Sequence, residues 1–364
     1  MIRATVKFPS YTIQEDLLLT VGDVLKAYGQ RVLVVGGKTA LEKVEEKLKE
    51  SLKENKLDIV DFMWYGGECT YSNIAKIVEK AKKENAEIIV GVGGGKALDA
   101  SKAAAEGAKL PSFTIPTTAA TCAATTPLSI VYTEKGDFEA LFHLSAPPVH
   151  IFMDSIIIAD APKKYLWAGI GDTIAKYYEV KLTTRGKKLS HSPAMGKELS
   201  SMCLDPLLNY GRKALEDSDN NIASYELEQV ILNNIISTGI VAMLVGDENN
   251  GAIAHGVFYG FTLLEEIEKH HLHGEVVAYG VLLLLVIDKQ EKELERLITF
   301  YEQIKLPVCL KDLDVKNDRA YLEAVLEKAV NAPDMRKVPF AVTKDMLFQA
   351  MQKLETIKGL HKLS

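Results

Sequence analysis

Between residues 31 and 116 the chain alternates β-branched runs with helical stretches, and this alternation limits its fold more than any other feature. Arg31–Gly37 (RVLVVGG) is a β-branched run ending in glycine, and Lys38–Asn55 reads as an amphipathic helix rich in Glu and Lys. Ile59–Tyr65 is apolar and ends at Gly66-Gly67-Glu68, and Ser72–Glu84 reads as a helix. Ala86–Val92 runs straight into Gly93-Gly94-Gly95, Lys96–Gly107 has the Ala-rich composition of a good helix former, and Ser112–Ile115 is a short strand. Strand–helix–strand at this spacing implies an α/β domain: a parallel sheet with helices on both faces. Pro127–Thr133 and Phe138–His143 flank the turn Glu134-Lys135-Gly136-Asp137 and predict a β-hairpin, with one more strand at Val149–Met153.

After Asp160 the pattern changes to a 3.6-residue period, with helices expected at Tyr225–Val245, Val276–Lys289 and Lys292–Gln303. The expectation is therefore two domains, an α/β domain over 1–160 and an all-helical one over 161–364, which agrees with the soft prior for 364 residues. Ligands of such proteins usually bind in the cleft between domains. A net charge of −6 gives no broad positive field, which argues against a nucleic-acid partner. The longest apolar run, Val281–Ile287, falls well short of the roughly 20 residues that span a bilayer. No signal-peptide pattern precedes Asp16, and Cys69, Cys122, Cys203 and Cys309 lie far apart without a CxxC spacing. A cytoplasmic protein with reduced thiols is expected.

Gly91-Val92-Gly93-Gly94-Gly95-Lys96 follows a strand and opens a helix, a place where backbone N–H groups and the helix dipole favour phosphate. It fits neither familiar pattern. GxGxxG needs glycine where Lys96 stands, and GxxxxGK[ST] fails at Val90 and Ala97. A second polar loop, Pro116 to Thr126, offers its hydroxyls either to a pyrophosphate or nicotinamide amide or to its own backbone turns. Of eight histidines, His255, His270, His271 and His273 fall within one short window. A single histidine on an apolar helix is more often a core residue than a ligand. Two together with a carboxylate are worth weighing as a metal site, and Asp172, in the apolar stretch Gly169-Ile170-Gly171-Asp172, supplies that carboxylate.

Taken in order and spacing, several pieces resemble the iron-containing (group III) alcohol dehydrogenases, and within them the glycerol dehydrogenase branch. They are Gly66-Gly67-Glu68-Cys69, Gly91–Asp99 with Lys102, Pro116-Thr117, Pro127–Tyr132, Gly169–Lys176, Ala254-His255 and His273-Gly274-Glu275. The resemblance implies a dehydroquinate synthase-like architecture, in which an NAD(P)-binding α/β domain precedes a helical metal-binding domain. It also implies one divalent metal, zinc or iron, on Asp172, His255 and His273, and a homo-oligomer. Cofactor contacts carry over onto Gly94, Gly95, Lys96, Asp99, Thr117, Thr118, Thr126, Leu128 and Tyr132, with Gly93, Ala97 and Leu98 in the same loop. His270, beside His271, is a candidate proton relay, although an exposed helix-end pair reads equally as surface.

Three departures bear on the reaction. Members with four protein ligands have a histidine four residues after the aspartate, where this chain has Lys176; three ligands and an open position suit a zinc-like catalytic site. Glycerol dehydrogenases carry a substrate-contacting Asp in the threonine loop, where this chain has Cys122, in a stretch that resembles hydroxycarboxylate dehydrogenases. NAD-using members end the first strand with Asp; here Gly37 and Lys38 stand there, which is compatible with a 2′-phosphate and NADPH. The expected activity is reversible, metal-dependent hydride transfer between NAD(P) and a small alcohol such as glycerol, the carbonyl partner being dihydroxyacetone. The alternative is NADPH-dependent reduction of small 2-oxo acids, followed by a dehydroquinate synthase-type lyase or glycerol-1-phosphate dehydrogenase.

Overall fold

Alternate residues of the buried strands serve two cores, one on each face of a sheet. The computed structural model describes residues 5–361. Its strands are β1 (Ser10–Gln14), β2 (Arg31–Gly36), β3 (Asp58–Trp64), β4 (Ile88–Gly93), β5 (Ser112–Pro116), β6 (Leu128–Tyr132), β7 (Phe138–His143) and β8 (His150–Asp154). Six of them form a parallel sheet in the order β1-β8-β5-β4-β2-β3, and β6 with β7 forms the expected antiparallel hairpin. Val32 and Val34 of β2 pack with Val90 and with Val44, Leu48 and Leu52 of the helix Lys38–Glu54. Leu33 and Val35 point the other way, onto Ile74 and Ile77 of the helix Tyr71–Lys83 and the alanines of Gly95–Ala108. Burial on both faces is why these strands read as unbroken apolar runs. Each fully buried Val or Leu contributes about 1.5–3 kcal/mol.

The strand order reverses beside β2, which has β3 on one side and β4 on the other. At such a switch point the carboxyl ends of adjacent strands diverge and leave a crevice for a ligand. The two strand ends meet there: Gly37, just after β2, donates its N–H to Val92 O of β4 at 3.4 Å. Gly93 has φ +134°, a conformation that side chains rarely adopt, and so turns the chain from strand into helix.

The chain divides into two compact units, one of residues up to 165 with 216–243, the other of 166–215 with residues from 244 onward. The second unit is helical. Its central helix, His273–Ile287, is buried from Gly274 to Leu285, which accounts for the apolar run in the sequence. One helical stretch, Tyr225–Val245, is by length and composition apolar enough to cross a membrane. It is 61% buried over its most apolar window and carries a π-helical segment, Asn233–Ser237, so it has the character of a core helix.

Two parts of the fold leave no clear mark in the sequence. One is β1, a short edge strand with mostly exposed residues, joined to β8 by Ser10 and Thr12 hydroxyls on the two ring nitrogens of His150 (2.8 and 3.0 Å). The other is the pair Leu17–Thr20 and Val21–Leu25, too short to show a helical period.

Candidate metal centre and nucleotide loop

Three helices of the second unit carry the candidate ligands: Lys164–Thr183 with Asp172, Ile253–Phe261 with His255, and His273–Ile287 with His273 at its first position. The first and third cross with almost no space between backbones. A Cβ on Gly274 would lie 1.9 Å from Ala168 O, and one on Gly171 would lie 2.3 Å from Gly274 O. This contact between glycines brings Asp172 to His273. Asp172 Oδ1 is 3.5 Å from His255 Nε2 and 3.5 Å from His273 Nε2, and the three ligand atoms lie within 4.8 Å of one another. A tetrahedral ion with bonds of about 2.1 Å separates its ligand atoms by about 3.4 Å, so the spacing fits a divalent cation. Phe258 presents its ring edge-on to His273, with centroids 4.2 Å apart.

Glu179 completes the centre, and the sequence reading does not single it out. It lies seven residues after Asp172, two helical turns along the same face, and that spacing is the signal that could have found it. It is fully buried. Its Oε2 meets His255 Nδ1 at 2.6 Å, while Oε1 accepts the N–H groups of Ala252 (2.7 Å) and His255 (3.1 Å). Held from behind in this way, the His255 ring turns Nε2 toward Asp172, as metal-bound histidines require. Burial would drive the His255 proton off, but Glu179 and Asp172 together outweigh it and raise the pKa to about 10. Burial likewise opposes the charge on Asp172, and the two histidines hold its carboxyl well below the usual range. A buried carboxylate, Glu179, and a half-buried one, Asp172, thus draw a proton onto the site, in the place where a divalent cation would supply positive charge.

The remaining histidines of the window stand differently. His271 Nδ1 meets Glu275 Oε1 at 2.9 Å, and Glu275 Oε2 accepts Leu272 N–H, so this pair caps the helix start. His270 is exposed at the end of the short helix Glu265–His270.

In the first unit the threonine loop lies across the glycine turn. A Cβ on Gly94 would meet Thr118 Oγ1 at 3.5 Å, and one on Gly95 would meet Thr121 Oγ1 at 3.4 Å. Gly94 is the extended N-cap of Gly95–Ala108, with no side chain capping it, and Thr117 N–H donates to Gly93 O at 3.1 Å. Lys96 pairs with Glu68 and lies 5.0 Å from the ring of Tyr132, which ends β6. Gly37 caps Lys38–Glu54, and the Lys38 ammonium sits 4.6 Å over the exposed Trp64 ring. Cys122 is half-buried on the loop, and its carbonyl accepts Thr125 N–H at 2.9 Å.

Ala97, Leu98 and Asp99 face inward and are buried. Asp99 Oδ2 accepts Ile130 N–H at 3.1 Å, and Oδ1 lies 3.0 Å from Lys102 Nζ. Lys102, also buried, donates to the carbonyls of Ala123 (2.6 Å), Thr126 (3.0 Å) and Leu128. This lysine staples the loop to the helix and fixes both Thr126 and Leu128. On the loop's other side, Thr125 Oγ1 donates to Ile235 O at 2.7 Å and Asn234 Nδ2 to Ala119 O at 2.9 Å, both through the π segment.

The iron-containing alcohol dehydrogenase family profile matches residues 9–155. The chain is 32% identical over 359 residues to a glycerol dehydrogenase of Pseudomonas putida, covering 96% of each. It is also 32% identical over 332 residues to hydroxycarboxylate dehydrogenase A of Escherichia coli K12, covering 90% of each. The crystal structure of a probable glycerol dehydrogenase from Sinorhizobium meliloti 1021 aligns with a TM-score of 0.85 at 28% identity, over 98% of this chain and 99% of that one. The chain belongs to the iron-containing alcohol dehydrogenase family and is an oxidoreductase of the glycerol dehydrogenase type.

Proposed function

We propose that the protein interconverts a small alcohol and its carbonyl by hydride exchange with NAD(P), using a divalent metal held by Asp172, His255 and His273. The observation that carries this is the convergence of those three ligand atoms with Glu179 locked behind His255. Bound there, a metal ion supplies Lewis acidity to a substrate oxygen and lowers the pKa of its hydroxyl. Asp172 supplies the negative charge, Glu179 fixes the tautomer and angle of His255, and Phe258 walls the side of His273. The α/β unit takes the nucleotide at the switch point, its phosphates on the N–H groups of Gly93, Gly94 and Gly95, with Lys96 beside them. Lys102 holds Thr126 and Leu128 in place around it, the Thr117 N–H is tied to Gly93 O, and the π segment fixes Ala119 next to Thr118. The proton leaves through water or through His270, which is exposed at the end of its helix.

Two substrate pairs fit a centre of this kind. Glycerol with dihydroxyacetone is the first. A second, a 2-hydroxy acid with its 2-oxo acid, is favoured by Cys122, a loop position with no carboxylate to repel an anion. Lys38 beside Gly37 favours the 2′-phosphate of NADPH. Initial rates of NADH and NADPH oxidation with dihydroxyacetone and with 2-oxobutyrate, after zinc is added, test both choices. Turnover of neither carbonyl with either nucleotide would overturn the proposal.

A further inference from the structure

Lys176 is a buried charged group on the helix that carries Asp172 and Glu179, and it takes no part in holding the three candidate ligands. It lies four residues after Asp172 and three before Glu179, so all three share one face of the helix Lys164–Thr183. The residue is 7% exposed. Its ammonium donates to Asn250 Oδ1, a neutral amide oxygen, and among the described residues it forms no ion pair. The nearby Lys337 is treated differently: it donates to the Asn250 carbonyl but also has the carboxylate of Asp334. Glu179, the acid closest along the helix, feels the Lys176 charge across space, but both its oxygens are committed to Ala252 and His255 and neither is hydrogen-bonded to the ammonium. An ammonium has three N–H donors, and burying one without a paired carboxylate is costly.

The charges point to what is missing. Asp172 and Glu179 carry two negative charges and Lys176 one positive, so with a divalent cation on Asp172, His255 and His273 the cluster holds one buried positive charge in excess. A neutral polyol leaves that excess standing, whereas a monoanion cancels it. Side chains four apart on a helix start about 6 Å from each other, within reach of the two ends of a small 2-oxo acid.

We propose that Lys176 is a specificity-determining residue that binds the carboxylate of a 2-hydroxy or 2-oxo acid, whose neighbouring oxygen lies at the Asp172–His255–His273 centre. This rests on the reading of that centre as a metal site. The substrate class that follows is anionic, and glycerol is the poorer fit.

The test uses the full-length protein loaded with cobalt(II), whose visible absorption reports ligands entering the coordination shell. Oxalate is the anionic probe and imidazole the neutral one. Lys176→Met weakens oxalate binding by about 10- to 100-fold, the worth of a charge-assisted hydrogen bond, while imidazole binding changes by less than about twofold. Lys176→Arg restores much of the oxalate affinity. Asn250→Asp, which supplies the missing counter-charge from within, also weakens oxalate by at least about tenfold and keeps the lysine, so the proposal stands or falls even if Lys176→Met does not fold. Equal effects on oxalate and imidazole, or none on oxalate, overturn it. Failure of the unaltered protein to take up cobalt overturns the metal reading itself, and the anion site with it.

Discussion

Glu179→Gln removes one charge from the centre and almost no volume. Glu179 is fully buried and accepts three hydrogen bonds, at 2.6, 2.7 and 3.1 Å, from His255 Nδ1, Ala252 N–H and His255 N–H. An amide has one oxygen for these three donors and turns its own N–H₂ toward the others. The bond to the imidazole therefore loses its ionic character or is lost, and the ring is free to change tautomer. Hydrogen bonds to a charged acceptor are worth about 1.5–3 kcal/mol. Divided by about 1.4 kcal/mol per factor of ten, this weakens metal binding by roughly 10- to 100-fold. Competition for zinc against a chromophoric chelator near neutral pH measures the change, with circular dichroism as the check that the helices persist. A zinc affinity within about twofold of the unaltered protein would refute the role given to Glu179.

Other consequences follow from the same contacts. Gly274→Ala places a methyl 1.9 Å from Ala168 O, and backbone cannot move aside cheaply; a destabilisation of about 3 kcal/mol with weaker zinc binding is expected from denaturant melts. Lys102→Met leaves the Asp99 carboxylate buried without its cation and unpins three carbonyls of the threonine loop. It should cost about 3–5 kcal/mol in stability and raise the KM for the nucleotide more than it lowers kcat, both read from melts and initial rates. Metal-free protein should lose stability with rising pH: the folded His255 pKa, about 10, lies above the unfolded 6.5, so its contribution is full below about 6.5 and gone above about 10. Zinc-loaded protein, in which the cation replaces that proton, should not show this loss, and parallel melting profiles for the two forms would contradict the assignment.

The sheet is legible because strands covered on both faces leave a local mark, a β-branched run bounded by glycine, and every such run between residues 31 and 116 forms a strand. The hairpin is legible from its turn residues, since Gly136 takes a positive φ of 89° there. The edge strand β1 is not, because its partner β8 lies about 140 residues away and its own residues are mostly polar. Nor is the π segment: Tyr225–Val245 keeps the apolar content of an ordinary helix, and the extra residue shows only in where Asn234 and Ile235 reach the loop. At the centre, Asp172, His255 and His273 stand out as polar residues in apolar helices. Glu179 sits in the same helix as Asp172, but its role depends on a histidine 76 residues onward. Ala97, Leu98 and Asp99 adjoin the glycine turn in sequence, and only the structure shows that the helix it opens buries them.

Metal content and turnover measured on the same samples, for the unaltered protein and for His273→Ala, test the central claim most directly. His273 is the most exposed of the three ligands and the first residue of its helix, so its removal should leave the fold intact. The unaltered protein should carry about one divalent ion per chain, and His273→Ala should lose most of that metal together with nearly all NAD(P)H oxidation, with an unchanged circular dichroism spectrum. Undiminished turnover in His273→Ala at full metal content would place the metal elsewhere and contradict it.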